Sequence, residues 1–397
     1  MKLFEKHELR LLWPFYLDSL LSPMLFFAPA FIVIYLIGLH LSLFQIGVVM
    51  AMAPLTALIF EIPTGAIADL YGRKFSVILG YALEAISVLF LFFVSNYYAV
   101  LFAFAFLGFA ATFSSGAKEA WIVDLVKNKR GTVHNYFMKS RSLDSFGLVV
   151  SGILGAIIVG YLGIKMIWLF AFFSFSVSIL VLLFSGENYT RKSAKISESY
   201  HNVKKQSIIS LRYGMKHRVI FYLLLSGFII TFTVTFAEIL GFAPLLKGLG
   251  FPEYAFGLFW SAVWAVSMIS PFFSKFLLKQ GKERNLLIAF TLISSLILGI
   301  MYFATNYIFA IIILLSSYFF IGLKHPVYKT YFHRFVPSKI RATIGSMDSM
   351  SAALAGIIAL PLGGYLIDVI GARWVIIIAA LLGIPTIIIY LKIKEKK

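Results

Sequence analysis

Twelve stretches of this chain are each apolar over about 20 residues, the length a helix needs to cross a hydrocarbon core. No other feature restricts the fold as tightly. Inside a bilayer no water is available to backbone N–H and C=O groups, so each crossing must satisfy them within itself, as a helix does. The segments lie at about 11–39, 43–69, 75–95, 98–126, 143–163, 166–185, 218–241, 254–278, 286–304, 307–329, 342–370 and 373–391. Sixty per cent of the 397 residues are hydrophobic and 13% are charged, whereas a soluble domain carries about 25% charge. The fold class is therefore an all-α membrane protein of twelve transmembrane helices. The formal net charge of +18 does not indicate a nucleic-acid partner. Its charges fall in short patches between apolar segments, and the partner they imply is the lipid bilayer.

The one long hydrophilic stretch, at about 186–217, divides the spans six and six. The expected domains are a six-helix bundle over 1–185, a central linker over 186–217 and a second six-helix bundle over 218–397. About thirty of the 35 Lys and Arg residues lie at the N-terminus, in every second loop, in the linker or in the tail "KIKEKK". Only Lys165, Lys247 and Arg373 fall in the alternate loops. Positive charge stays inside, which makes both termini and the linker cytoplasmic and the protein multi-pass in the plasma membrane. The start, "MKLFEKHELRLLW", lacks a small-residue cleavage site and reads as the beginning of the mature protein. The halves also echo each other. "GAIIVGYLGIKMIW" over "GGYLIDVIGARWVI" pairs Gly155 with Gly363, Gly163 with Gly371 and Lys165 with Arg373. "GAKEAWIVD" over "GLKHPVYKT" pairs Gly116 with Gly322 and Lys118 with Lys324. The two anchors need only a two-residue offset, as parallel repeats would produce.

The loop after span 2 reads "GAIADLYGRK", with Gly65, Asp69, Gly72, Arg73 and Lys74 at set intervals. It closely resembles the signature loop of the major facilitator superfamily, and with twelve spans the resemblance covers essentially the whole chain. It implies two pseudo-symmetric bundles and a conformational latch in which Asp69 and Arg73 hold the cytoplasmic side, with Asp69 lying near "RATIGSMDS", which contains Asp348. Within the family the chain is similar to the drug:proton antiporter-like subgroup, with departures. The matching loop of the second half, "SPFFSKFLLKQGKERN", keeps Gly281 but has no acid where Asp69 stands. Span 5 has Gly147, Gly152, Gly155 and Gly160, but Ile153 follows Gly152 where that subgroup has proline; "LPLGG" puts a proline in span 11 instead. The span 5 glycines read as sites of close helix packing.

Ionisable residues inside spans are expensive and face a bundle interior or a cavity. Asp18 lies about 10 Å into span 1, too deep for a one-methylene carboxylate to reach water, so it is protonated or paired. The resemblance implies that span 1 lines the central cavity, which makes Asp18 a candidate proton site or else half of a structural pair. Glu61 shares a stripe with Asp69 and reads as packing around the signature loop. Glu84, near the middle of span 3, must be neutral or partnered. Glu238 ends span 7 on one face with Thr231 and Thr235, placed to receive protons or cationic substrate or simply to meet interfacial water. Asp348 reads as a charge at the start of span 11. Lys118 stands about 12 Å short of the end of span 4, where it snorkels, pairs or belongs to the transport site; Glu119 beside it has no such reach. Lys324 repeats the problem in span 10 next to His325, and the resemblance allows both lysines to face the pathway.

No phosphate-cradling Gly-Lys-Ser/Thr loop, no His-Glu-x-x-His spacing and no cysteine occur. Hence the expectation is no enzyme, no cofactor and no metal, with energy from an ion gradient or the substrate's own. The leading expectation is a secondary active transporter, acting as a monomer, that couples protons to efflux of lipophilic or cationic small molecules through Asp18, Glu119, Glu238 and Glu84. The alternative is proton-coupled uptake of an organic anion held by Lys118, Lys324 and His325. The topology has a direct test: a periplasmic-type reporter fused after Lys397 should be silent, and the same reporter inserted beside Lys165 should be active. The opposite pattern would reverse the orientation.

Overall fold

The computed structural model describes residues 6–126, 130–188, 217–278, 281–336 and 341–393. Twelve helices among them are long and apolar enough to cross a membrane. In order they are Glu8–Gly38, Leu43–Tyr71, Arg73–Phe93, Tyr97–Val126, Thr132–Leu162, Met166–Leu183, Arg218–Gly248, Ala255–Leu277, Glu283–Phe303, Tyr307–Phe332, Met347–Ile370 and Ala372–Lys392, spans 1 to 12. No strand occurs among the described residues. Most of the central linker, and the tail beyond residue 393, lie outside them.

Five spans are not continuous α-helices: span 9 closes in a 3-10 turn at Ile300–Phe303, span 12 is interrupted at Gly383, and spans 1, 4 and 7 carry the breaks that follow. Span 1 breaks at Phe26–Phe27, three residues after Pro23, between helices Lys6–Leu25 and Ala28–Gly38. Span 4 breaks at Ser115–Gly116, where Gly116 takes φ 66°, and resumes as Ala117–Val126. Span 7 widens into a π-turn at Thr235–Ile239. Breaks of these kinds often mark functional positions.

The chain divides into two compact units. One comprises Met1–Tyr35, Leu55–Asn202 and Tyr254–Ser261; the other comprises Leu36–Pro54, Val203–Glu253 and Ala262–Lys397. The division differs from a cut at the linker, because the beginning of span 2 goes with the second unit and the beginning of span 8 with the first. In the first unit the core is aromatic. Phe15 meets Trp121 edge-on at 4.9 Å, and Tyr16 and Tyr136 lie 5.0 Å apart. The second packs Tyr331, Phe332 and Tyr390 with Leu223 and Leu287.

The repeat pairs occupy matching places. Gly163 and Gly371 both have the left-handed conformation, at φ 89° and 86°, where the chain turns into spans 6 and 12. Gly155 abuts Phe27 and Phe31 of span 1, and Gly363 abuts Phe236 of span 7. Lys165 lies over Phe92 at the end of span 3, and Arg373 donates to the Ala304 carbonyl after span 9 at 2.6 Å. Gly116 and Gly322 part company: the first opens a turn, while the second lies inside helix against Ser270.

Gly147, Gly152 and Gly155 of span 5 serve close approach, as read from the sequence, whereas Gly160 makes only an ordinary contact. In the first unit a Cβ on Gly152 would lie 2.2 Å from Ser261 Oγ, and one on Gly257 would lie 2.2 Å from the Gly152 carbonyl oxygen. Ser261 seals this crossing by donating to the Val149 carbonyl at 2.6 Å. Gly257→Leu should therefore lower stability by about 1–3 kcal/mol through overpacking, seen as a reduced melting temperature in detergent. Leu at Gly65, which has no atom within 4 Å of a built Cβ, should be far milder.

Candidate functional site

The signature loop is tied down locally. Gly72 takes φ 102°, a conformation costly for any residue with a Cβ, and the turn brings Arg73 and Lys74 to the start of span 3. Arg73 Nε pairs with Asp124 Oδ2 at 3.0 Å. The Lys74 ammonium donates to the carbonyls of Leu183 and Ser185 at 2.8 and 2.7 Å, and its backbone N–H to Glu187 at 2.9 Å. The basic half of the loop thus binds the ends of spans 4 and 6. Asp69 lies on an exposed face. Asp348 is held in its own unit, 3.0 Å from Lys329 and within 3.5 Å of the Tyr328 hydroxyl. Side chains at 341–343 and 346, part of the stretch expected beside Asp69, lie outside the described residues.

The main polar cluster of the first unit is built around Lys118. Its ammonium forms an ion pair with Asp18 Oδ2 and donates to the Tyr81 hydroxyl at 3.3 Å. Asp18 is 1% exposed, and its other oxygen, Oδ1, has no hydrogen-bond partner among the described residues. Glu84, one turn from Tyr81 and also buried, faces Ser114 at the break in span 4 and feels the charge of Lys118. Asp144 of span 5 feels both Lys118 and Asp18 and faces Ser19. Three carboxyl groups therefore act on one half-buried ammonium, with Arg141 beside Asp144. Lys118 forms an ion pair with the buried Asp18, which lies within its reach.

Glu119 is not part of this cluster, contrary to the expectation from sequence. It is exposed. The break at Ser115–Gly116 makes it a first-turn residue of Ala117–Val126, where an acid is stabilised by the helix dipole. Glu61 is likewise exposed.

In the second unit the corresponding helices carry a different arrangement. Glu238, 3% exposed, sits in the π-turn of span 7; the Tyr318 hydroxyl donates to it, and Lys324 lies near enough for its charge to act. Lys324 is 8% exposed and makes no ion pair or hydrogen bond among the described residues. His325, the next residue, is exposed and turned from the face that buries Lys324. Each half therefore carries an acid on its first span and a lysine on its fourth, in contact as Asp18–Lys118 and only within electrostatic reach as Glu238–Lys324. Sequence reading missed Asp144, which looks like an ordinary charge near a helix start, although its position three residues after Arg141 was visible. Tyr81 and Tyr318 carried no signal, since tyrosine is common in apolar spans.

A family model described as Major Facilitator Superfamily matches residues 19–344 and again 281–397. The uncharacterized MFS-type transporter YxaM of Bacillus subtilis (strain 168) is 25% identical over 376 residues, spanning 92% of this chain and 90% of its own. Among solved structures, a bacterial homologue of the iron transporter ferroportin in an inward-facing state superposes with a TM-score of 0.77 at 16% identity, over 97% of this chain and 98% of that one. A D-xylose-proton symporter gives 0.71 at 15% identity, over 96% and 97%.

Removing one partner of a buried pair leaves the other charge uncompensated, at a cost of about 3–5 kcal/mol. Lys118→Met should thus destabilise the protein strongly, and Asp18→Asn combined with Lys118→Met should recover most of the loss. A double-mutant cycle on melting temperature checks this; additive losses would show that the two side chains do not act as a pair.

Proposed function

Because the chain belongs to the major facilitator superfamily, whose members transport solutes and are not enzymes, we propose that it is a secondary active transporter exchanging protons for lipophilic or cationic small molecules. The observation that carries this reading is the Asp18–Lys118 pair, a sealed carboxylate with one oxygen unengaged and two further carboxyl groups nearby. The cluster holds more acid than base, and a proton or a cationic group is what such a cluster accepts. A proton on Asp18 would weaken its hold on Lys118, and loss of that proton would restore the pair. Occupancy thereby becomes a change in which helices are tied together. Glu238, with Tyr318 and Lys324, supplies a second acid of the same type in the other unit.

On this reading the two bundles, 1–185 and 218–397, alternate access to the two sides of the plasma membrane, in a protein that works as a monomer. That proton coupling operates on this fold is supported by the D-xylose-proton symporter. One observation favours the opposite polarity. Lys324 is buried and makes no hydrogen bond among the described residues, so an organic anion entering with protons would find a donor there. Lys118 fits that reading less well because Asp18 already holds it, and His325 lies on an exposed face.

Reconstitution in liposomes with an imposed pH gradient tests both. Gradient-driven movement of lipophilic cations, abolished by Asp18→Asn, is the expected result. Movement of organic anions, lost in Lys324→Gln but kept in Asp18→Asn, would establish the alternative. A gradient that moves neither class would remove proton coupling.

A further inference from the structure

Spans 2 and 11, the helices expected to be latched through Asp69, meet at their other ends within one compact unit. Span 2 starts with a reciprocal cap: Gln45 N–H donates to Ser42 Oγ at 3.2 Å, and Ser42 N–H donates to Gln45 Oε1 at 3.0 Å. Such a box satisfies the first and last of the four free N–H groups. The two between, of Leu43 and Phe44, would remain without partners inside the helix. Both donate to a single carboxylate, that of Asp368 near the end of span 11, at 3.0 and 2.8 Å. The start of span 2 is thus completed by a residue more than 300 positions away, at the end of the helix dipole that attracts negative charge.

The backbone around this contact is shaped to permit it. A Cβ on Gly364 would lie 2.0 Å from the Leu43 carbonyl oxygen, and one on Gly47 would lie 2.2 Å from the Leu360 carbonyl oxygen. Phe44 and Tyr365 cover the junction edge-to-face at 6.3 Å. In the register that pairs Gly155 with Gly363, Asp368 corresponds to Gly160. There span 5 approaches Tyr254, just before span 8, with only a van der Waals contact of 3.6 Å from a built Cβ. The carboxylate clasp exists on one of the two pseudo-equivalent crossings.

We propose that Asp368 is a latch on the side opposite the signature loop, holding the outer ends of spans 2 and 11 together until the pathway opens to that side. The opening step rests on the alternating-access reading; the clasp itself rests on the hydrogen bonds. The chain has no cysteine, so Phe44→Cys with Tyr365→Cys gives a cross-linking reporter in a clean background, and no substrate is needed. In membrane vesicles a short thiol cross-linker should join the pair readily. Adding Asp368→Ala should slow cross-linking about three- to tenfold, in line with the loss of a charged cap. Asp368→Asn should fall between, and Asp368→Glu should recover most of the rate. If Asp368→Ala does not accumulate in the membrane, Asp368→Asn decides by itself. Cross-linking within about twofold of the parent in these variants would overturn the latch. Unchanged cross-linking beside normal gradient-driven transport would discard the latch alone. Slowed cross-linking in a protein that shows no transport would support the clasp and count against the coupling reading.

Discussion

Hydrocarbon offers neither hydrogen bonds nor counter-charges, and the structure of this protein follows from how that deficit is met. Twelve helices close their own backbone hydrogen bonds, and wherever the α-helical pattern lapses a polar group is close by. The break in span 4 at Ser115–Gly116 stands next to Lys118, and Ser114 beside it faces Glu84. The π-turn of span 7 contains Glu238 itself. The buried charges obey the same constraint: Asp18 and Lys118 neutralise one another, and Glu238 accepts a hydrogen bond from the Tyr318 hydroxyl while sensing Lys324. A site able to exchange its occupants must sit where these solutions are least complete. Asp18 Oδ1 is one of the buried polar atoms left without a hydrogen-bond partner among the described residues.

The repeat shows how one architecture yields two different polar clusters. Gly163 with Gly371 and Gly155 with Gly363 match between the halves, since they serve the backbone path, whereas Gly116 and Gly322 do not. The chemistry does not match in detail. An acid on the first span and a lysine on the fourth recur, yet one pair is in direct contact and the other is not. The same divergence separates Asp368 from Gly160: equivalent crossings, with a carboxylate clasp at one and plain contact at the other.

Much of this was legible beforehand. Spans, loops, the signature motif and the paired glycines are written in short-range patterns, because a membrane helix is defined by a local run of apolar residues. The packing role of Gly152 and Gly155 was legible too, as small residues recurring on a helix face admit a neighbour. Glu119 was misread because its burial was inferred from an unbroken span 4, and a single φ of 66° at Gly116 changes its setting. Asp144 and Tyr81 were passed over because neither looks unusual beside its own neighbours. Asp368 was not singled out at all: its partners are backbone N–H groups, which every sequence possesses and none advertises.

Local hydrophobicity and charge, read in order, determine on their own how many times this chain crosses the membrane and which family it resembles. Only the tertiary structure decides which buried acid meets which lysine. Asp18 and Lys118 are 100 positions apart, and Leu43 and Asp368 are 325 apart. Contacts at such separations depend on how helices rotate and which neighbour each one meets, which the residues nearest by do not specify.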